Sequence, residues 1–155
     1  MLTLTNLTDI CKRLNKAQVK YVIVGGFAVF LHGFERATKD IDLLVDPSEV
    51  NINKIKNSLK DLLPEACAEM EAGDVGKYTV VRMSGENMIV DLMGKIGDVG
   101  FFEAKVIKEE MNGVEIPMAD LDTLLKLKEG VRDRDRRDYL FLKGKQEYLQ
   151  TKGKK

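Results

Sequence analysis

Two aspartates one residue apart open the stretch Asp40-Ile41-Asp42-Leu43-Leu44-Val45. On a β-strand alternate side chains share a face, so Asp40 and Asp42 point one way while Ile41, Leu43 and Val45 point the other. Two acids side by side against an apolar face are costly unless a cation sits between them, and a divalent metal ion suits that position. Upstream, Gly25-Gly26 opens a short helix, where backbone N–H groups would receive a phosphate. Metal plus phosphate is the chemistry of a nucleotide. An isolated Asp-x-Asp is more often a solvated strand edge, but here the pair opens an otherwise apolar strand a short connection after a glycine-marked helix start.

A third acid, Asp91, interrupts the apolar run Met88-Ile89-Val90-Asp91-Leu92-Met93. It must pair, coordinate a metal or lie at the strand's exposed end. If that strand lies beside the first, three carboxylates converge and two-metal phosphoryl transfer becomes feasible, one acid also taking the proton of an attacking hydroxyl. Lys128 falls on the stripe that Leu121, Leu124 and Leu125 define, whereas Lys126 points away. A lysine on such a stripe either reaches out at the helix end or meets an anion. The run Arg132-Asp133-Arg134-Asp135-Arg136-Arg137-Asp138 reads as a solvated helix face with internal ion pairs. The alternative puts Asp135 and Asp138 on the stripe of Val131, Tyr139 and Leu142, bracing the site through Arg36 or Lys128. His32, the single histidine, reads as a packing or capping residue.

The elements that must position these residues follow from periodicity and breakers. Leu7, Ile10, Cys11 and Leu14 predict a helix over 5–17 capped by Thr5 or Asn6. Tyr21-Val22-Ile23-Val24 is a strand buried on both faces, and a helix over about 27–33 closes at Gly33. Asp46-Pro47-Ser48-Glu49 predicts a helix start with Asp46 as cap, and Ile52, Ile55, Leu59 and Leu62 form its stripe before Pro64. Residues 64–77 read as a mobile polar segment. Strands at 78–83 and 88–93 join across Ser84-Gly85-Glu86-Asn87, and Gly94, Gly97 and Gly100 mark a loop. A second hairpin pairs 104–109 with 114–117 around Asn112-Gly113. Helices from Asp120 to Glu129 and from Val131 to Leu149 end the fold.

At 155 residues the chain fits one domain with a full core, residues 1–150, followed by a basic tail, 151–155. Basic and acidic residues balance at 25 each, which argues against a sequence-independent nucleic-acid coat protein. Cys11 and Cys67 lack metal-type spacing and read as reduced thiols. No signal peptide or membrane-length apolar run is evident, which places the protein in the cytoplasm with no membrane partner.

Val24-Gly25-Gly26, a spacer of 13 residues after it, and then Asp40-Ile41-Asp42 within Arg36-Ala37-Thr38-Lys39-Asp40-Ile41-Asp42-Leu43-Leu44-Val45 resemble the DNA polymerase beta superfamily of nucleotidyltransferases, in particular small bacterial members grouped with abortive-infection and toxin–antitoxin systems. Leu125-Lys126-Leu127-Lys128 and Arg132-x-Arg134-Asp135-x-x-Asp138 look like the C-terminal signature of that group, with a slightly shorter spacing. The resemblance implies an α/β (α+β) nucleotidyltransferase fold: a small mixed β-sheet flanked by helices, with two C-terminal helices. It implies that Asp40, Asp42 and Asp91 bind two magnesium ions, or manganese, as the catalytic set. Gly25 and Gly26 would admit the nucleoside triphosphate, with Arg36, Thr38 and Lys128 as further nucleotide contacts; Lys126 competes with Lys128 as the site lysine. The implied reaction moves a nucleoside monophosphate onto an acceptor hydroxyl of a partner protein, a transfer RNA end or a small molecule. A homodimer or partner would complete the acceptor wall. The competing class is a catalytically silent module of a toxin–antitoxin pair that acts by binding.

Overall fold

The computed structural model describes residues 3–34, 37–128 and 133–152. Helix α1 (Leu4–Lys16) is capped at Thr3, two residues before the nearer expected cap, Thr5, because Asn6 completes a reciprocal capping box with it. Its stripe of Leu7, Ile10, Cys11 and Leu14 is fully buried. Strand β1 (Tyr21–Val24) is buried at all four residues and runs directly into α2 (Gly25–Leu31), so both glycines lie in the first turn of that helix rather than ahead of it. Strand β2 (Ile41–Val45) pairs antiparallel with β1, Val24 opposite Asp42.

Helix α3 (Glu49–Leu59) takes Ser48 as its cap, not Asp46. The Ser48 hydroxyl accepts from the Asn51 amide, while Asp46 accepts from the Ser48 amide and hydroxyl and so forms a turn ahead of the helix. Buried Asn51 then ties the start of β1 to α3, accepting from the Lys20 amide and donating to the carbonyls of Lys20 and Asp46.

Residues 64–77 are not a mobile polar segment. They form two short helices, α4 (Pro64–Glu69) and α5 (Asp74–Lys77). Cys67, Met70 and Val75 anchor them in the core while the glutamates face water. The hairpin of β3 (Val81–Ser84) and β4 (Ile89–Met93) follows, with Arg82 opposite Asp91. Its first strand starts later than expected, because Tyr78 and Val80 are exposed. The glycine-marked loop contains a small ladder of β5 (Lys95–Ile96) and β6 (Val99–Gly100). Strands β7 (Val106–Met111) and β8 (Val114–Ala119) are joined by Asn112 and Gly113, both at positive φ (53° and 77°), as a tight primed turn requires.

The main sheet has the order β3-β4-β2-β1-β8-β7. It is mixed: β4 runs parallel to β2 and β8 parallel to β1, the other pairs being antiparallel. Helix α1 packs on β8 and α3; α2 packs on β1 and β2 and meets α6 (Leu121–Lys128) and α7 (Asp133–Lys152). Ile41, Leu43, Leu44 and Val45 are completely buried. At about 1.5–3 kcal/mol for each such side chain, that burial is large enough to hold β2 in place while it also carries acids. Helix α7 runs through Lys152, so Thr151 and Lys152 continue the helix. Among the described residues no helix is long and apolar enough to cross a membrane.

Candidate active site

The site assembles where β2, β4 and β3 lie side by side. Asp42 sits in β2 with Asp40 just ahead of it, and the parallel register sets Asp42 beside Asp91 of β4. Side chains of paired residues in neighbouring strands leave the sheet on the same face. Asp40, Asp42 and Asp91 accordingly offer carboxylate oxygens that all lie within 4.8 Å of one another. Asp91 is the third of five residues in β4 and only 4% exposed, so it does not lie at an exposed strand end. Three hard oxygen donors at this spacing suit a hard divalent cation such as magnesium or manganese.

A residue missed in the sequence completes the cluster. The Arg82 guanidinium donates from Nε to Asp91 Oδ1 at 2.9 Å and from a terminal nitrogen to Asp91 Oδ2 at 3.0 Å. The same terminal nitrogen reaches Asp40 Oδ2 at 3.3 Å. The Asp91 hydrogen bonds and charge, then the charges of Asp40 and Asp42, hold the guanidinium more firmly protonated than usual. A signal was available: a hairpin that closes at Ser84 and Ile89 must set Arg82 opposite Asp91.

Gly25 is required on two counts. Its φ is +68°, which side chains rarely adopt, and an added Cβ would lie 2.8 Å from Asp42 Cγ and overlap Oδ2. The start of α2 is therefore pressed against the Asp42 carboxylate. Gly26 follows, half-buried, in the same turn. Thr38 is buried two residues before Asp40. Arg36 lies outside the described residues, as do the side chains of Lys128, Arg134 and Asp135. In α6, Leu124 and Leu125 are buried and Lys126 is exposed, and in α7 Asp138 is buried close to the core residue Leu142.

His32 stands at the far end of α2. Its Nε2 lies 3.1 Å from the Ala119 carbonyl, and Lys145 Nζ lies 3.3 Å from Nδ1 and donates to the His32 carbonyl at 2.7 Å. An ammonium can only donate, so Nδ1 accepts and the ring is neutral with its proton on Nε2. Desolvation, opposed by the Ala119 hydrogen bond and joined by the Lys145 charge, pushes the imidazole below its ordinary value. His32 is a packing and capping residue. Both cysteines are buried, and burial pushes the Cys11 thiol up to about 11, which makes it a poor nucleophile.

The family of nucleotidyl transferases of unknown function (DUF2204) matches residues 3–153. The chain belongs to that family. Solved structures share the fold of this nucleotidyl transferase. The lincosamide antibiotic adenylyltransferase LnuA, solved with lincomycin bound, is 18% identical with a TM-score of 0.63, over 92% of this chain and 97% of that one. An antigenic nucleotidyltransferase-like protein from Paracoccidioides brasiliensis is 17% identical with a TM-score of 0.60, over 89% of this chain and 73% of its own. A protein of Thermotoga maritima described as a nucleotidyltransferase is 18% identical with a TM-score of 0.54, over 97% and 90% of the two chains. No curated protein sequence matches the chain. The expected nucleotidyltransferase fold, a mixed sheet flanked by helices, is the one observed.

Proposed function

We propose that this nucleotidyl transferase moves a nucleoside monophosphate from a nucleoside triphosphate to an acceptor hydroxyl and releases pyrophosphate, with magnesium as the metal. The observation that supports this most directly is the convergence of Asp40, Asp42 and Asp91 from two adjoining strands. The three carboxylates would hold the metal, which would supply positive charge to offset the charge that develops on the phosphates during transfer. The rest is work for the chain itself. With Asp42 on β2, Asp91 on β4 and Asp40 just ahead of β2, the acids keep their spacing, and one of them takes the proton of the attacking hydroxyl. Gly25 keeps the start of α2 free of side-chain bulk beside Asp42, and with Gly26 leaves backbone for the triphosphate to approach. Arg36, Thr38 and Lys128 are the further nucleotide contacts, and residues 1–150 form the catalytic domain. The acceptor is a protein side chain, an RNA end or a hydroxyl-bearing small molecule.

The test supplies each of four α-labelled triphosphates singly with magnesium or manganese. Acceptor arms contain cell-extract protein, transfer RNA and a hydroxyl-bearing antibiotic, and both label transfer and pyrophosphate release are followed. Label on one acceptor class, lost in Asp42→Asn, is the expected result. The seating of Arg82 among the acids favours a second reading, a catalytically silent binding module. That reading prevails if isothermal titration with and without magnesium shows triphosphate binding weakly or not at all and no pyrophosphate appears in any arm.

A further inference from the structure

A cation already occupies the acidic cluster, and it belongs to the protein. Arg82 donates to both oxygens of Asp91 and to one of Asp40, oxygens that a metal ion at this site would use. We infer that Arg82 is a displaceable counter-ion: it neutralises the acids in the metal-free protein and gives them up when a divalent ion enters. The inference rests on the reading that the three acids bind a divalent metal.

Three features carry it. The first is competition for one place. A guanidinium and a divalent ion on the same carboxylates repel with twice the force of two unit charges, so the two do not share the cluster at close range. The second is necessity. Asp91 is 4% exposed, and three crowded carboxylates with no cation among them would be strongly destabilising. The third is the contrast in freedom between the partners. Asp42 and Asp91 belong to the interior strands β2 and β4, whereas Arg82 belongs to β3 at the sheet edge and its side chain is 57% exposed. The guanidinium can therefore swing into water without any core residue repacking, while the acids stay where β2 and β4 hold them. The longer Arg82–Asp40 contact, with both side chains partly in water, is also weak enough to be exchanged.

Manganese alone is the probe, titrated into the full chain while the signal of the free ion is followed by electron paramagnetic resonance. Melting temperatures are recorded in chelator and in saturating manganese. The proteins are wild type, Arg82→Gln, Arg82→Lys and the double variant Asp40→Asn with Asp42→Asn. Arg82→Gln is expected to bind manganese about tenfold more tightly, the scale of one charge-assisted hydrogen bond removed from the competing side. It should melt lower than wild type in chelator and gain more on adding manganese. Arg82→Lys, which keeps the charge without the fork, should fall between the two. If Arg82→Gln is unfolded in chelator, the Arg82→Lys comparison with wild type decides by the same ordering.

Equal or weaker manganese binding in the Arg82 variants overturns the inference, because a residue that merely positions the acids would lose affinity when removed. In that outcome the metal site still stands, provided wild type binds an ion that the double aspartate variant does not. If neither wild type nor the Arg82 variants bind more manganese than the double variant, the metal-site reading itself fails and the inference falls with it.

Discussion

The two ends of α2 each set a basic side chain against oxygen acceptors, and they differ in what surrounds the pairing. At the N-terminal end Gly25 is pressed on Asp42, whose neighbours Asp40 and Asp91 hold an Arg82 that remains largely in water. At the C-terminal end Lys145 meets the carbonyl and ring of a buried His32, and the ring in turn meets the Ala119 carbonyl. The acceptors at the first end are ionised and crowded; those at the second are neutral and satisfied. A cation on crowded carboxylates can be exchanged for a stronger one. A cation on a helix carbonyl and a neutral ring only fastens α7 to the end of α2. Function is expected at the first end and stability at the second.

Asp42→Asn tests that division most severely. It is expected to reduce nucleotidyl transfer by about a thousandfold or more, the scale of losing a group that stabilises developing charge. The melting temperature in chelator should be unchanged or higher, since one of three crowded acids has been neutralised; pyrophosphate release and calorimetry on one preparation check both. Gly25→Ala should cost about 1–3 kcal/mol in denaturant unfolding, because it adds backbone strain and drives into Asp42, and transfer should fall with it. Gly33→Ala is its counterpart at the other end. Gly33 also has positive φ, +114°, but an added Cβ would meet only Phe141 Cζ at 3.8 Å. It should cost about 1 kcal/mol of strain and leave transfer intact.

Smaller effects belong to the His32 end. The folded-state pKa of His32 is lowered from its ordinary 6.5, so below that value the unfolded chain takes up a proton that the folded chain resists. Stability contributed by the neutral ring is therefore complete above the ordinary value and is lost as pH falls through it toward the folded value. Unfolding free energies at about pH 7.5 and about pH 5 should differ less in His32→Gln than in wild type, because glutamine can keep a donor near Ala119 without titrating. Lys145→Met should cost about 1 kcal/mol, one hydrogen bond to a helix-end carbonyl, with no change in transfer. A large loss of transfer in Lys145→Met would erase the distinction between the two ends.

What could be read in advance was what leaves a periodic or chemical mark. Tyr21 to Val24 is wholly apolar and emerged as a central buried strand, and a lone Asp91 in an apolar run emerged next to Asp42. Asn112-Gly113 carried its hairpin by turn chemistry alone. Arg82 left no such mark. An arginine on an edge strand looks like any solvated residue until the register of the hairpin is drawn. Residues 64–77 misled for a different reason: helices of six and four residues are shorter than the window in which a 3.6-residue period shows, and Glu65, Glu69 and Glu71 are interleaved with the anchors Cys67, Met70 and Val75. The caps of α1 and α3 were off by two residues because Thr3, Thr5 and Asn6, and likewise Asp46 and Ser48, are all competent caps. Only the bonds each forms separate them: a reciprocal box between Thr3 and Asn6 at α1, and Ser48 accepting from the Asn51 amide at α3.

The pairing of Arg82 with Asp91 also bears on the order in which the chain can fold. These residues meet across a short hairpin, β3 with β4, whereas Asp42 and Asp91 meet only when β4 docks in parallel beside a strand far away in sequence. Local hairpins close in microseconds, and parallel pairing of distant strands must first overcome the entropy of closing a long loop. The third acid therefore reaches the sheet with its charge already matched. The repulsion that would otherwise oppose this long-range pairing is removed before that pairing begins.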